Sequence, residues 1–392
     1  MFSALMQQLR DELDKAELIS QLNENIRNLL LGIDENVIGS GERTGPSPQC
    51  IDSLKAVVGT LPSKVDWQIY DHYASVGRLY AAFERYVNEL VRAYVGMLPS
   101  LYRTLGDLPE TIATNHRIGI GQILQKIGTR KSYRNIDETT AIRALSSGQS
   151  DGSGYTLIPE AFLVEKLNYR MDVIGPIFSS LDIEQCAFRV EAHPMVRELI
   201  ENTIGQSTTA ASELERFIRY RNDAAHDVPE EILSHDEVMK LRGLIIAIGT
   251  ALADIVRKKV LQRHVDIGNT RSIGKVTESH YKGSVIVLVL EAEERLAIKD
   301  LLCISDERSV RIGEILSIQE NSSDVEYVEG KLGQEIGLKL SIKCLKGADV
   351  RVLSLPSRED PAAPIVPVEI SEQTVELPPS FESVTATTDN DD

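Results

Sequence analysis

A chain of 392 residues with 42% hydrophobic and 26% charged residues has the composition of a soluble globular protein, long enough for two or three domains. The net charge of −17 excludes a globally basic surface, so any nucleic-acid contact has to come from a focused basic region. There is no apolar run of about 18 residues to span a membrane and no signal-peptide pattern, and Cys50, Cys186, Cys303 and Cys344 form no C-x-x-C pair; together these point to a reducing cytoplasm and no zinc site.

Residues 1–35 read as a helix, because Phe2, Leu5, Leu9, Leu13, Ala16, Ile19 and Leu22 recur at three- and four-residue steps. "GSGERTGPSPQC" (39–50) is a linker. "DWQIYDHYASVGRLYAAFERYVNELVRAYVGML" (66–98) is a long aromatic-rich amphipathic helix that Pro99 is expected to end. Helical patterning continues through 107–128, "SSGQSDGSG" (146–154) is a loop, and "PEAFLVEKLNYRMDVIGPIF" and "VRELIENTI" supply shorter helices.

The stretch "FIRYRNDAAHDVPEE" (217–231) departs from simple patterning. Leu214, Phe217, Ile218 and Ala225 mark a buried helical face, and Arg221 falls on the same stripe. A guanidinium facing inward needs a partner, and a phosphate is one candidate. His226 has the side chain suited to proton transfer near neutral pH, Arg221 a permanently charged fork for phosphate oxygens, and Asn222 can orient either. On an ideal helix the two positions stand roughly 140° apart, so they converge within one chain only if the helix unwinds near Ala225 and His226, as Pro229 permits. The plainer alternative pairs Arg221 with an acid such as Glu84 and leaves His226 to cap the helix. Past this stretch, Ser234 and Glu237 have capping-box spacing and open a strongly apolar helix to about His264.

From residue 265 the period changes. "SIGKVTE", "SVIVLVLE", "DLLCIS", "VRIGEILSI", "DVEYVE", "GQEIGLKLSI" and "DVRVLS" are short β-type runs between turn residues, indicating a small antiparallel barrel or sandwich. Residues 356–392 carry nine acids against Arg358 and six of the chain's 15 prolines, an acidic tail that reads as disordered. Upstream, 111–135 carries Arg117, Lys126, Arg130, Lys131 and Arg134 and no acid, and with Tyr133 and His116 it is the best candidate for tracking an RNA backbone and stacking a base. A solvated face is its plainer reading. "GIGQ" (119–122) is too short for a phosphate loop.

The string R-N-x-x-A-H, set between two helices, resembles the R-x4-H signature of the HEPN superfamily of all-α ribonucleases. "YAAFERYVNELV" (80–91) and "EKLNYRMDVIGPIF" (165–178) look like the first core helix and the segment preceding the motif in the MAE_28990 and RiboL-PSP types. The resemblance covers roughly residues 60–262 and implies a metal-independent endoribonuclease that works as a homodimer with its two motifs facing, often in toxin–antitoxin or phage-defence systems. It implies Arg221 and His226 as the catalytic pair, Asn222 beside them, Glu84 and Tyr86 as supporting positions, and no cofactor or metal. Residues 270–355 resemble the second-domain barrel of elongation factor Tu, which implies a barrel that positions RNA, transfer RNA being favoured, or docks a ribosomal or protein partner.

The expectation is a multidomain α+β chain: an N-terminal helix and linker (1–50), a HEPN-like all-α bundle (51–264), a small antiparallel β-barrel (265–355) and the tail. The expected activity is RNA cleavage, under an antitoxin or activator protein and with no membrane partner. The rival is a non-catalytic dimeric module binding nucleotide, RNA or a partner protein.

Overall fold

The computed structural model describes residues 2–31, 60–127, 136–148, 154–164, 166, 168–204, 208–226, 232–306, 310–320 and 323–353. Helix α1 (Phe2–Leu31) buries Phe2, Met6, Leu9 and Leu13, and farther along Arg27 anchors it to the next helix through Asp71 at 2.6 Å. Helix α2 (Lys64–Leu101) starts at Ser63, whose Oγ accepts the Asp66 N–H, and buries Val76, Phe83, Val87, Leu90, Tyr94 and Leu98. Pro99 does not end it. The helix continues to Leu101, because a proline in the last turn forfeits only one backbone hydrogen bond.

Helix α3 (Glu110–Lys126) lies against the 3₁₀ turn Pro159–Phe162; a Cβ at Gly119 would sit 2.0 Å from the Ala161 carbonyl oxygen. That glycine serves close packing. Shorter helices follow: α4 (Glu138–Ser146), α5 (Met171–Ser180), α6 (Cys186–Glu191) and α7 (Pro194–Leu199), the last running into a π-turn at Ile200–Ile204. Helix α8 (Ala210–His226) precedes α9 (His235–Asp266). The expected capping box is present at α9: Ser234 Oγ accepts the Glu237 N–H at 3.3 Å and Glu237 Oε2 accepts the Ser234 N–H at 2.8 Å. Helix α9 buries Leu241, Leu244, Ile248, Leu252 and Val256, and packs against α1, α2, α6, α7 and α8, so it is apolar on several faces.

Nine strands follow among the described residues: β1 (Thr270–His280), β2 (Val285–Leu290), β3 (Glu294–Ala297), β4 (Leu301–Ser305), β5 (Val310–Glu320), β6 (Ser323–Val325), β7 (Tyr327–Gly330), β8 (Glu335–Leu340) and β9 (Asp349–Leu353). Their antiparallel order β4-β9-β1-β2-β8-β5, closed by β4 pairing with β5, is a six-stranded barrel. Strand β6 extends β5, while β3 and β7 pair separately. The closing pair decides between barrel and sandwich. Ile286, Leu288 and Leu290 alternate inward from β2 and meet Ile273, Ile304, Ile315, Leu338 and Val350 in a second core. Leu261 of α9 packs on Cys303 of β4, so the long helix also seats the barrel. The linker and the acidic tail lie outside the described residues.

Candidate functional site

Helix α8 is held at both ends by chemistry its sequence carries. At its start the Glu191 carboxylate accepts the N–H groups of Ala210 (3.1 Å) and Ala211 (2.7 Å), satisfying two orphan donors at the positive end of the helix. Leu214, Phe217 and Ile218 then bury its apolar face. At its far end Tyr220 meets the buried ring of His72 edge-on at 6.4 Å, and the His72 Nδ1 accepts the Leu233 N–H at 3.2 Å, tying the approach to α9 back to α2.

Arg221 is half-buried, and its partner is an aromatic ring. The guanidinium carbon lies 4.8 Å from the centroid of the Tyr80 ring, and Nη1 donates to Asn222 Oδ1 at 3.0 Å. Among the described residues Arg221 makes no ion pair with Glu84 or any other acid. A cation over an aromatic face satisfies the inward-facing charge and fixes the guanidinium plane.

Tyr80, Glu84 and Asn88 stand four residues apart on one face of α2. The Tyr80 hydroxyl accepts the Tyr169 N–H at 3.2 Å, and the Tyr169 hydroxyl donates to Asn88 Oδ1. The Tyr80 pKa is raised, by burial first and by the Glu84 carboxylate, against the pull of the Tyr169 amide and the Arg221 charge. Burial, with Glu84 and Tyr80 adding to it, raises that of Tyr169. Both phenols are therefore neutral near pH 7, and the site's permanent positive charge is Arg221. Tyr80, Asn88 and Tyr169 were not among the expected site residues; the polar stripe 80/84/88 on an apolar helix could have found the first two, and Tyr169 is brought to them only by the fold.

The other expected residues divide. Helix α8 stays helical through His226, so the unwinding that would bring positions 221 and 226 together within one chain does not occur; the His226 side chain lies outside the described part of the structure. Glu84 lies close enough to Tyr80 and Tyr169 for its charge to raise the pKa of both phenols. Tyr86 does not: it is 4% exposed, donates its hydroxyl to the Gly249 carbonyl at 2.8 Å and cements α2 to α9. Of the basic segment, Arg117 is exposed with Nη2 donating to Thr114 Oγ1 at 3.3 Å, and Lys126 lies half-buried in the last turn of α3. Arg130, Lys131, Tyr133 and Arg134 lie outside the described residues. His116 is no stacking platform. It is buried, stacks on Phe162 at 6.0 Å, and its Nε2 accepts the Ile158 N–H at 2.9 Å; burial lowers its pKa to about 4.

Among the described residues no group of three or more His, Cys, Asp or Glu side chains is placed to hold a metal ion. No described helix is long and apolar enough to cross a membrane. A surface cleft of about 580 Å³ between α6, α7 and α9, lined by Arg189, His193, Arg197, Asp254 and Lys258, contains none of the motif residues.

No curated protein and no solved structure matches the chain. The model of one family, RiboL-PSP-HEPN, matches residues 49–258, a span that holds the Tyr80 stripe, Tyr169 and the whole of α8. HEPN domains commonly bind RNA and dimerise, and the family is one of ribonucleases or RNA-binding modules. With more than half of its length matched, the chain belongs to the RiboL-PSP-HEPN family.

Proposed function

We propose that the protein is a metal-independent endoribonuclease. His226 takes the proton of an RNA 2′-hydroxyl, whose oxygen attacks the adjacent phosphorus, and the 5′-oxygen of the next nucleotide leaves with a proton from an acid. Arg221 binds the scissile phosphate and stabilises the charge that gathers on it, with Asn222 orienting the guanidinium. The products carry 2′,3′-cyclic phosphate and 5′-hydroxyl ends. The observation that carries this reading is the Arg221 guanidinium, held in a fixed plane by Tyr80 and Asn222 within a matched RNA-processing family.

Positions 221 and 226 diverge on an unbroken helix, which supports a site completed by a second copy of the chain. Leu18, Ile19, Leu22 and Leu29 give α1 an exposed apolar face of the kind a second copy of the chain would cover. Transfer RNA is the favoured substrate because of the barrel's resemblance to that of elongation factor Tu, and a toxin–antitoxin or phage-defence role under a protein inhibitor or activator suits such an enzyme.

The same divergence favours a second reading, a non-catalytic RNA-binding module in which α8 is purely structural. Incubation of the wild type, His226→Ala and Arg221→Ala with total bacterial RNA in EDTA decides between them. Cleavage abolished in both variants and leaving cyclic-phosphate ends in the wild type supports the nuclease. RNA binding by a folded dimer without cleavage supports the module.

A further inference from the structure

The tip of the barrel's β1–β2 hairpin has an unusual backbone. Tyr281 and Lys282 both adopt positive φ, 48° and 59°, and Gly283 follows at 97°. Two successive side-chain-bearing residues in the left-handed region are disfavoured, and they persist where the surroundings hold them. Here the 340–348 segment does so. The Gly283 carbonyl accepts the Cys344 N–H at 2.8 Å, the Cys344 carbonyl accepts the Ser279 hydroxyl at 2.8 Å, and the Ser284 carbonyl accepts the Leu340 N–H at 2.9 Å. A Cβ at position 283 would come within 2.9 Å of the Cys344 carbonyl oxygen, so only glycine allows the two segments to close.

This lacing pushes Tyr281 into solvent, where it is 81% exposed, the most of the exposed large apolar or aromatic residues described. Lys282, Lys343 and Lys346 are exposed on the same two segments and have no ion-pair partner among the described residues. Glu278, the acid nearest along the hairpin, is engaged by His280 at 2.9 Å. In a chain of net charge −17 this is a local concentration of positive charge around a rigidly mounted ring.

We infer that this surface, formed by Tyr281, Lys282, Lys343 and Lys346, is a binding site for single-stranded RNA. The lysines meet successive phosphates and the Tyr281 ring stacks on an unpaired base. A duplex hides its base faces and an acidic polypeptide has none, so the exposed ring selects the single strand. For its purpose the inference rests on the ribonuclease reading, in which the barrel would hold substrate for the helical site; the binding itself stands apart from catalysis.

The test uses the full-length His226→Ala chain, which binds without cutting, and a labelled single-stranded RNA of about twelve nucleotides, with affinity read by fluorescence anisotropy across a salt series. Tyr281→Ala should weaken binding by about tenfold while Tyr281→Phe preserves it, because stacking needs the ring and not the hydroxyl. Neutralising Lys282, Lys343 and Lys346 to Gln should lower the salt slope by about 2, roughly 0.7 for each phosphate that no longer meets a cation. All four positions are exposed, and circular dichroism verifies that each variant folds. RNA affinity and salt slope unchanged in both sets of variants would overturn the inference. Weakening by the lysine changes but not by Tyr281→Ala, with polyglutamate competing as well as RNA, would also overturn it and assign the surface to an acidic polypeptide. Cleavage by the wild type is scored separately: cleavage with patch-independent binding removes this site and keeps the nuclease, and patch-dependent binding without cleavage does the reverse.

Discussion

Helices α2 and α9 are the two longest of the described helices, 38 and 32 residues, and they do different work. Helix α9 buries apolar residues in several directions, and its polar side chains tie neighbouring elements together: Arg242 pairs with Asp14 and Glu17 of α1, Lys259 with Asp182, and Asp254 with His193. Helix α2 packs as well, yet along one edge Tyr80, Glu84 and Asn88 break the apolar pattern at four-residue steps and meet Tyr169 and Arg221. A residue taken from α9 should therefore cost stability, and one taken from the α2 edge or from the arginine above it should cost function. Tyr86 shows how local the distinction is, since six positions from Tyr80 it is buried among α1, α2 and α9 and bonds the Gly249 carbonyl.

The largest expected effect lies on the functional side. Arg221→Ala should lower RNA cleavage by about 10²–10³ while moving the unfolding free energy by less than about 1 kcal/mol, measured by cleavage assay and by urea titration of the same sample. Parallel losses in both would erase the contrast. On the structural side, Leu252→Ala at a fully buried position of α9 should cost about 2–5 kcal/mol in urea unfolding and leave cleavage per folded molecule as it was.

His116 tests the contrast through pH. Its folded pKa of about 4 lies below its ordinary 6.5, so the folded state binds fewer protons than the unfolded one between those values. The stability it contributes is complete above about pH 6.5 and is lost as pH falls through about 4, an effect of at most ~3 kcal/mol. Denaturation midpoints of the wild type and His116→Gln should therefore converge on acidification, whereas a surface histidine serving RNA would leave their difference flat. The smallest effect divides the site itself: Tyr80→Phe keeps the ring under Arg221 and removes the acceptor for the Tyr169 N–H, at about 1 kcal/mol of stability, with cleavage nearly intact. Tyr80→Leu should lose cleavage more than stability, because it removes the face that orients the guanidinium.

Much of this was legible in residue order. The three- and four-residue steps of α1 and α2, the Ser234–Glu237 cap and the alternation in β2 are local signals that the tertiary structure keeps. The arginine on an apolar stripe asked for a partner, and charge rules offered a phosphate or, more plainly, an acid such as Glu84; within the chain the guanidinium lies over a ring instead of an acid, because a helix pattern says which face is buried and not what lies across from it. His116 misled for the same reason: a histidine among basic residues reads as exposed until Ile158 and Phe162 are seen to enclose it. Strand β3, within "EERLA", carries too many charges to show a strand pattern, and it exists because β7 pairs with it.

Helix α9 ends at Asp266 and β1 begins at Thr270, while Leu261 is already seated on Cys303 of the barrel. The barrel is thus mounted directly on the central rod of the helical core, without a tether whose length could be adjusted. Whatever the barrel grips is presented to the core at a set offset and angle, as a clamp on a workbench presents its workpiece to the tool. Lengthening the splice by inserted glycines would turn the clamp into a leash, trading a set spacing between barrel and core for a spread of distances.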